Sequence, residues 1–360
     1  MNIQSDIFEM RTLERRSGRE YWTNSIENSA GSGDIVRQAA DYLKTLDAQP
    51  VSIRLIGNQD SAAQADQLIR LAANEMGCPP LMMTQASSSP LQIQVHAVSG
   101  MRSEPLYFED ALIGRMFEDD FAAYYMLSMV SDSLDQSNYV QAKGVFEKAY
   151  KILTSLGMDF SHAVRTWLYA ADILSWYDEL NRARNEFFEF HGIYDKLVPA
   201  STGIGIDNPA QAALTAQLLA VKPKSDDVRI EAADSPLQNP ALDYKSSFSR
   251  GVKVLAPDHR RLSVSGTASI DAAGETIHVD DAAAQVDLTM RVVGGILEKA
   301  GMEWADAVSS LVYFKRLEYV RLFDDYCRTH NITLPHVKIH ADVCRDDLLF
   351  ELELDAVKKA

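Results

Sequence analysis

QAKGVFEKAYKILTSLGMDFSHAVRTWLY (141–169) and QVDLTMRVVGGILEKAGMEWADAVSSLVY (285–313) align without a gap at an offset of 144 residues. Gln141/Gln285, Ile152/Ile296, Leu153/Leu297, Gly157/Gly301, Met158/Met302, Ala163/Ala307, Val164/Val308 and Tyr169/Tyr313 are identical, eight positions in 29. Asp159/Glu303 and Phe160/Trp304 are conservative pairs. Self-similarity at a fixed offset marks a duplicated structural unit.

Working outward, each copy reads as the same series of elements. A strand (AAYYMLSMV, 122–130, or RRLSVSGTASI, 260–270) leads through a polar turn to a helix starting near the shared Gln. The helix stops at the Gly of GMDF or GMEW, where a glycine past the last turn can take the left-handed conformation. A strand rich in β-branched and aromatic residues follows (VRTWLY, 164–169, or AVSSLVYF, 307–314). Then come a second helix (176–191 or 318–330), a proline-led strand (PASTGIG, 199–205, or LPHVKIHADV, 334–343) and a last strand, where LLFELELDAV (348–357) alternates. The expected fold is α+β, with two β-α-β-α-β-β units. Two helices on one face of a mostly antiparallel sheet leave the other face in need of cover, and the second copy is the natural partner.

The first hundred residues carry no visible copy of the repeat. Residues 34–46 and 61–76 have helical spacing, with Asp34 and Ser61 at N-cap positions, whereas 51–56 and 91–98 alternate as strands. They read as an N-terminal α+β extension. Stretches 77–90, 200–212 and 222–240, rich in Pro, Ser, Gly and Asp, read as loops or linkers. The last is the expected boundary, giving an N-terminal domain over 1–235, with its repeat unit from about 120, and a C-terminal domain over 236–360.

Composition narrows the function. With 360 residues, 46% apolar and 24% charged, the chain can bury real cores and is not largely disordered. A formal charge of −16 repels nucleic acid over most of the surface. Three distant cysteines make neither a disulfide framework nor a paired metal site. The N-terminal stretch lacks an apolar targeting core, and no run of about 18 apolar residues occurs. The expectation is a cytoplasmic protein with no membrane or nucleic-acid partner and no cofactor.

Residues 262–355, through the SGTAS strand, the helix Gln, the Gly-Met turn and the terminal E-x-E strand, resemble the YjgF/RidA superfamily. Its members are trimers of a chorismate-mutase-like fold with ligand pockets between subunits. The resemblance thus implies a homotrimer, or a pseudo-trimeric monomer. RidA deaminases carry an arginine fifteen residues before the first Glu of the last strand, where this chain has His336. Histidine cannot make a guanidinium's bidentate clamp, so imine or enamine deamination, like simple metabolite binding, is the secondary reading.

A two-domain branch, the chorismatases, is similar over about 165–355. Arg165, Thr166, Trp167 and Tyr169, the 199–205 and 246–251 segments, Ser265–Ser269 and Ala341–Glu351 carry the likeness. The branch's Tyr and Arg pattern on the following helix does not map in register onto 176–191, where Arg182 and Arg184 lie nearby. The resemblance implies cleavage of chorismate to pyruvate plus 3-hydroxybenzoate or a dihydroxycyclohexadiene carboxylate. It implies Glu351 as catalytic acid, and Cys344, seven residues earlier, with Gly266 as marks of the 3-hydroxybenzoate-forming type.

Chorismate is a dianionic enol ether, so its site needs cations and a neutral acid. Arg165 and Arg250 are the candidate clamps, with Tyr169 and Gly266 as further substrate contacts. Alternation puts Leu349, Glu351 and Glu353 on one strand face, where burial and a second carboxylate raise a glutamate's pKa. His336, His340 and Cys344 have metal spacing only on a helix, and HVKIH alternates as a strand.

Overall fold

A computed structural model describes residues 2–4, 7–25, 32–58, 62–85, 90–244 and 246–360. The first unit runs β1 (Asn2–Gln4), β2 (Phe8–Glu14), β3 (Arg19–Ser25), α1 (Ser32–Thr45), β4 (Gln49–Asn58), α2 (Ala62–Met76), β5 (Pro80–Gln85) and β6 (Gln92–Ser99). The second runs β7 (Arg102–Phe108), β8 (Ala111–Glu118), β9 (Ala122–Val130), α3 (Asn138–Ser155), β10 (Ala163–Ala170), α4 (Ile173–Phe190), β11 (Ala200–Gly205) and β12 (Leu214–Pro223). The third runs β13 (Arg229–Ala233), β14 (Gly251–Leu255), β15 (His259–Ala268), α5 (Ala282–Lys299), β16 (Ala307–Phe314), α6 (Val320–Thr329), β17 (Val337–His340) and β18 (Phe350–Lys359).

Each unit forms a six-stranded sheet, ordered β1-β2-β3-β6-β4-β5, β7-β8-β9-β12-β10-β11 and β13-β14-β15-β18-β16-β17. The order is one topology three times, with a single parallel pair in each (β4/β5, β10/β11, β16/β17). The α+β extension expected at the N-terminus is therefore itself a unit of the repeated type. Each unit also opens with two more strands than the repeat suggested. β13 occupies part of the stretch read as a linker, and β5 part of the Pro-rich stretch read as a loop. Pro80 begins β5 at the sheet edge, where its missing N–H costs no ladder bond. Asp34 sits inside the first turn of α1 rather than capping it; Ser61 lies outside the described residues.

The repeated residues have physical jobs. Ser137 caps α3 by accepting from the Val140 N–H. Gly157 and Gly301 both have φ of 71°, the left-handed region that ends each helix without a Cβ penalty. Gln141 donates to the carbonyls of Leu134 and Gln136 and accepts from the Ala213 N–H. Gln285 repeats this, donating to His278 and Asp347 and accepting from Leu349 N–H. Each buried glutamine thus ties a helix start to the entry of the unit's last strand.

The helices cover one face of each sheet over separate cores. The other faces meet in a shared core containing Leu81 and Met83 of the first unit, Trp167 and Tyr169 of the second, and Leu311 and Tyr313 of the third. The contacts run head to tail: β4 and β5 pack on β8 and β9, β10 and β11 on β14 and β15, and β16 and β18 on β3 and β2. One chain thereby builds a pseudo-threefold arrangement with three unit interfaces. No helix among the described residues is long and apolar enough to cross a membrane.

Replacing Gln285 with Leu strands the buried Leu349 N–H, so urea unfolding should show a loss of about 1–3 kcal/mol. Gln141→Leu should lose a similar amount; no loss in either would separate these residues from the fold's stability.

Candidate active site

The interface between the second and third units gathers most of the candidate residues. In β18 the helix-facing side chains Phe350, Leu352 and Leu354 enter the third unit's core. Glu351 and Glu353 project from the opposite face, toward the neighbouring unit. Glu353 accepts from Arg165 Nη2 at 2.7 Å and from Trp167 Nε1 at 2.8 Å, both on β10. Arg165 Nη2 also donates to Thr202 Oγ1 of β11 at 2.6 Å, and the Gly266 N–H of β15 donates to the same oxygen at 2.9 Å. Arg165 is thus tied into an ion pair across the unit boundary, and its Nε and Nη1 remain buried without a partner.

Glu351 is only 5% exposed. Burial and the adjacent Glu353 push its pKa up to about 8, against the pull of Arg165. Such a carboxyl is largely protonated at neutral pH, as a general acid requires. Gly266 lies in a register shift of β15 against β18. A Cβ there would overlap Glu351 Oε1 and lie 3.1 Å from Thr202 Cγ2, so the absent side chain is what leaves room for the carboxyl.

Cys344 lies in the turn before β18 and packs with Tyr244, Ala268, Ile270, Val343 and Leu348. Burial and the nearby Glu351 push its thiol up to about 12. It is a neutral thiol at pH 7, not a thiolate nucleophile. Arg250 is 3% exposed. Its Nε and Nη2 donate to the Asn239 carbonyl at 3.0 and 2.9 Å, and its guanidinium sits 5.3 Å from the Tyr244 ring. No described carboxylate lies within ion-pair distance of it. The Arg250 carbonyl accepts from Ser265 N–H, fixing this residue beside the Gly266 segment.

Tyr169 lies within electrostatic reach of Glu353 and Arg165. It is buried in the shared core with Tyr313, and its phenol is held neutral by burial. Its sequence neighbour Trp167 is the residue that reaches the acidic pair. The same helix that failed to match in register supplies side chains here: Tyr177 of α4 faces Cys344. Arg184, two turns along the same face, is 5% exposed, donates to Asn181 at 2.7 Å and has an unpartnered Nε. Arg182 instead points to the surface near Glu179. From sequence Thr202, Tyr177 and Arg184 carry no assigned role, Arg184 figuring only beside the unmatched helix pattern and Thr202 only within the 199–205 segment. The spacing of Tyr177, Asn181 and Arg184, four and then three residues, was the available signal that they share a helix face.

His336 packs on Phe323 and accepts no metal-like set of neighbours; its Nδ1 bonds the Leu334 carbonyl. His340 lines a separate cavity of about 270 Å³ with Gln85, Asp207, Lys315 and Asp342. Among the described residues no three His, Cys, Asp or Glu side chains form a metal-binding group.

Glu351 binds its proton more tightly folded than unfolded. The associated stability is complete below the ordinary glutamate pKa of about 4.3 and is lost as pH rises through about 8. Glu351→Gln should therefore match the wild-type Tm near pH 4 and exceed it by about 2–4 °C near pH 9. Equal Tm values at both ends of the range would contradict the buried neutral acid.

No family model matches the chain. A chorismatase of Streptomyces rapamycinicus is 29% identical over 237 residues, covering 58% of this chain and 67% of the relative. A 3-hydroxybenzoate synthase of Streptomyces hygroscopicus is 28% identical over 244 residues, covering 60% and 69%. A crystal structure of a chorismatase superposes with a TM-score of 0.67 at 17% identity, covering 94% of this chain and 98% of that one, a likeness of fold. The chain is thus similar in sequence to chorismatases and a 3-hydroxybenzoate synthase, and shares the fold of a chorismatase.

Proposed function

We propose that the chain cleaves the enolpyruvyl ether of chorismate, with Glu351 as the acid. The supporting observation is a buried carboxyl, raised to about 8, beside a glycine that leaves it room and within reach of the Arg165 charge. Glu351 gives its proton to the enolpyruvyl methylene carbon, and the positive charge that develops on the ether carbon is stabilised by the carboxylate left behind. Water adds at that carbon and returns a proton to Glu351. The resulting hemiketal breaks its bond to the ring oxygen, releasing pyruvate and the ring diol. Loss of one water from the ring diol, a ring hydroxyl leaving with a ring hydrogen as a proton, would aromatise the ring and yield 3-hydroxybenzoate instead.

The substrate's two carboxylates need cations that have no carboxylate of their own. Arg250 fits that need directly, whereas Arg165 has Glu353 and offers only its two remaining buried donors. The assignment of Arg165 as a simple clamp is accordingly weakened, and Tyr169 is a packing residue in this reading. Cys344 acts as a neutral, soft wall beside the ring rather than as a nucleophile. A purely binding role does not need an acid held protonated, and deamination lacks its arginine at His336. The three units in one chain supply what a trimer would, which favours a pseudo-trimeric monomer sedimenting near 40.0 kDa.

Incubation with chorismate should release pyruvate, and Glu351→Gln should lower kcat by about 10²–10⁴-fold. No pyruvate from the wild type would remove chorismate as substrate; full turnover by the variant would remove Glu351 as acid. Cys344→Ala should move the product ratio from 3-hydroxybenzoate toward the dihydrodiol, read by mass spectrometry. An unchanged ratio would take Cys344 out of product choice.

A further inference from the structure

Glu351 and Glu353 stand two residues apart on one face of β18, 5% and 2% exposed. Among the described residues, one cation, Arg165, is within ion-pair distance of either carboxyl, and it pairs with Glu353. The hydrogen bonding is as uneven as the ion pairing. Glu353 accepts from both Arg165 and Trp167, whereas no described side chain donates to Glu351. Two buried carboxyls this close cannot both ionise at ordinary cost. The negative charge settles where the donors are, and the shared proton settles on the other.

We propose that Glu353 is a positioning residue for the reaction: locked as a carboxylate by Arg165 and Trp167 of the second unit, it holds its strand neighbour Glu351 in the proton-bearing form. The proposal rests on the reading of Glu351 as proton donor and explains how that state is maintained. The groups around the pair do not supply an alternative source of charge. From β10, Tyr169 is a phenol kept neutral by burial, as is Tyr313, which stands opposite Glu351 on β16. Cys344, in the turn before β18, is a neutral thiol. Arg54 of β4 donates to Gln217 and Gln94, and its charge acts on Glu353. Asp355, the next residue on this face, accepts from the Ser263 hydroxyl at 2.6 Å. Glu353 is therefore the carboxylate beside Glu351 that has both a fixed charge and a fixed position.

The arrangement also gives Arg165 and Trp167 a role distinct from substrate contact. They come from the second unit, the acid from the third, so the protonation of Glu351 depends on the two units being docked.

Protonation is read in the substrate-free, full-length protein by carbon-13 NMR of glutamate side-chain carboxyls across pH 4–10, with Glu351→Gln identifying the Glu351 resonance. The wild-type Glu351 should titrate well above the ordinary carboxylate range; titration within that range overturns the proposal without any further variant. Glu353→Gln keeps size and hydrogen-bonding capacity but removes the charge, and should lower the Glu351 midpoint by at least about one pH unit. Glu353→Asp keeps the charge and should stay nearer the wild type. An unchanged midpoint in Glu353→Gln, or an equal fall in Glu353→Asp, overturns the proposal. Because no substrate is present, the result stands apart from whether chorismate is turned over. If it is turned over, the pH dependence of kcat should shift with the same midpoint.

Discussion

The ion pair between Arg165 and Glu353 joins the second unit to the third at the centre of the molecule. Taking both charges out of water is costly, and their 2.7 Å contact offsets part of that cost with the help of Trp167 and Thr202, while two Arg165 donors stay unpartnered. Removing one partner would leave a buried uncompensated charge, a loss of about 3–5 kcal/mol. The pair therefore fixes how two units dock. It also fixes the electrostatics of the acid beside it, so that packing and chemistry rest on one contact.

A thrice-repeated unit creates three comparable interfaces, but the residues that fill them differ. Near the end of the fourth strand, where it pairs with the last strand, the first unit pairs Ile56 with Gln92, the second Tyr169 with Thr215 and the third Tyr313 with Glu351. Two residues along, the corresponding side chains are Gln94, Gln217 and Glu353. The carboxyl pair thus occurs in the third unit, while the amides of the other two hold Arg54 at the axis. The units share one topology, and side-chain divergence places the buried acidic pair at one interface.

How much of this was readable in the chain follows the same physics. Gln141/Gln285 and Gly157/Gly301 betray the repeat because each has a backbone task that few other residues perform: a double-ended amide and a left-handed turn. The first unit escaped notice because a strand needs only alternation and a helix only an apolar stripe, and many sequences satisfy both. β5 and β13 were hidden by turn-forming residues at sheet edges, where proline and charge are tolerated. The face shared by Glu351 and Glu353 was visible from period-two alternation. The partner that discriminates between them was not, since Arg165 lies 188 residues away in sequence and only the docking of two units brings it there. Gly266 likewise gains its meaning from a side chain on another strand.

The most direct test is a crystal structure of Glu351→Gln with chorismate bound. The account predicts chorismate in the cleft between the second and third units, with one carboxylate on Arg250 and the enolpyruvyl methylene about 3–3.5 Å from the side chain at position 351. Chorismate seated in either of the other clefts, or with its enolpyruvyl group turned away from position 351, would contradict it.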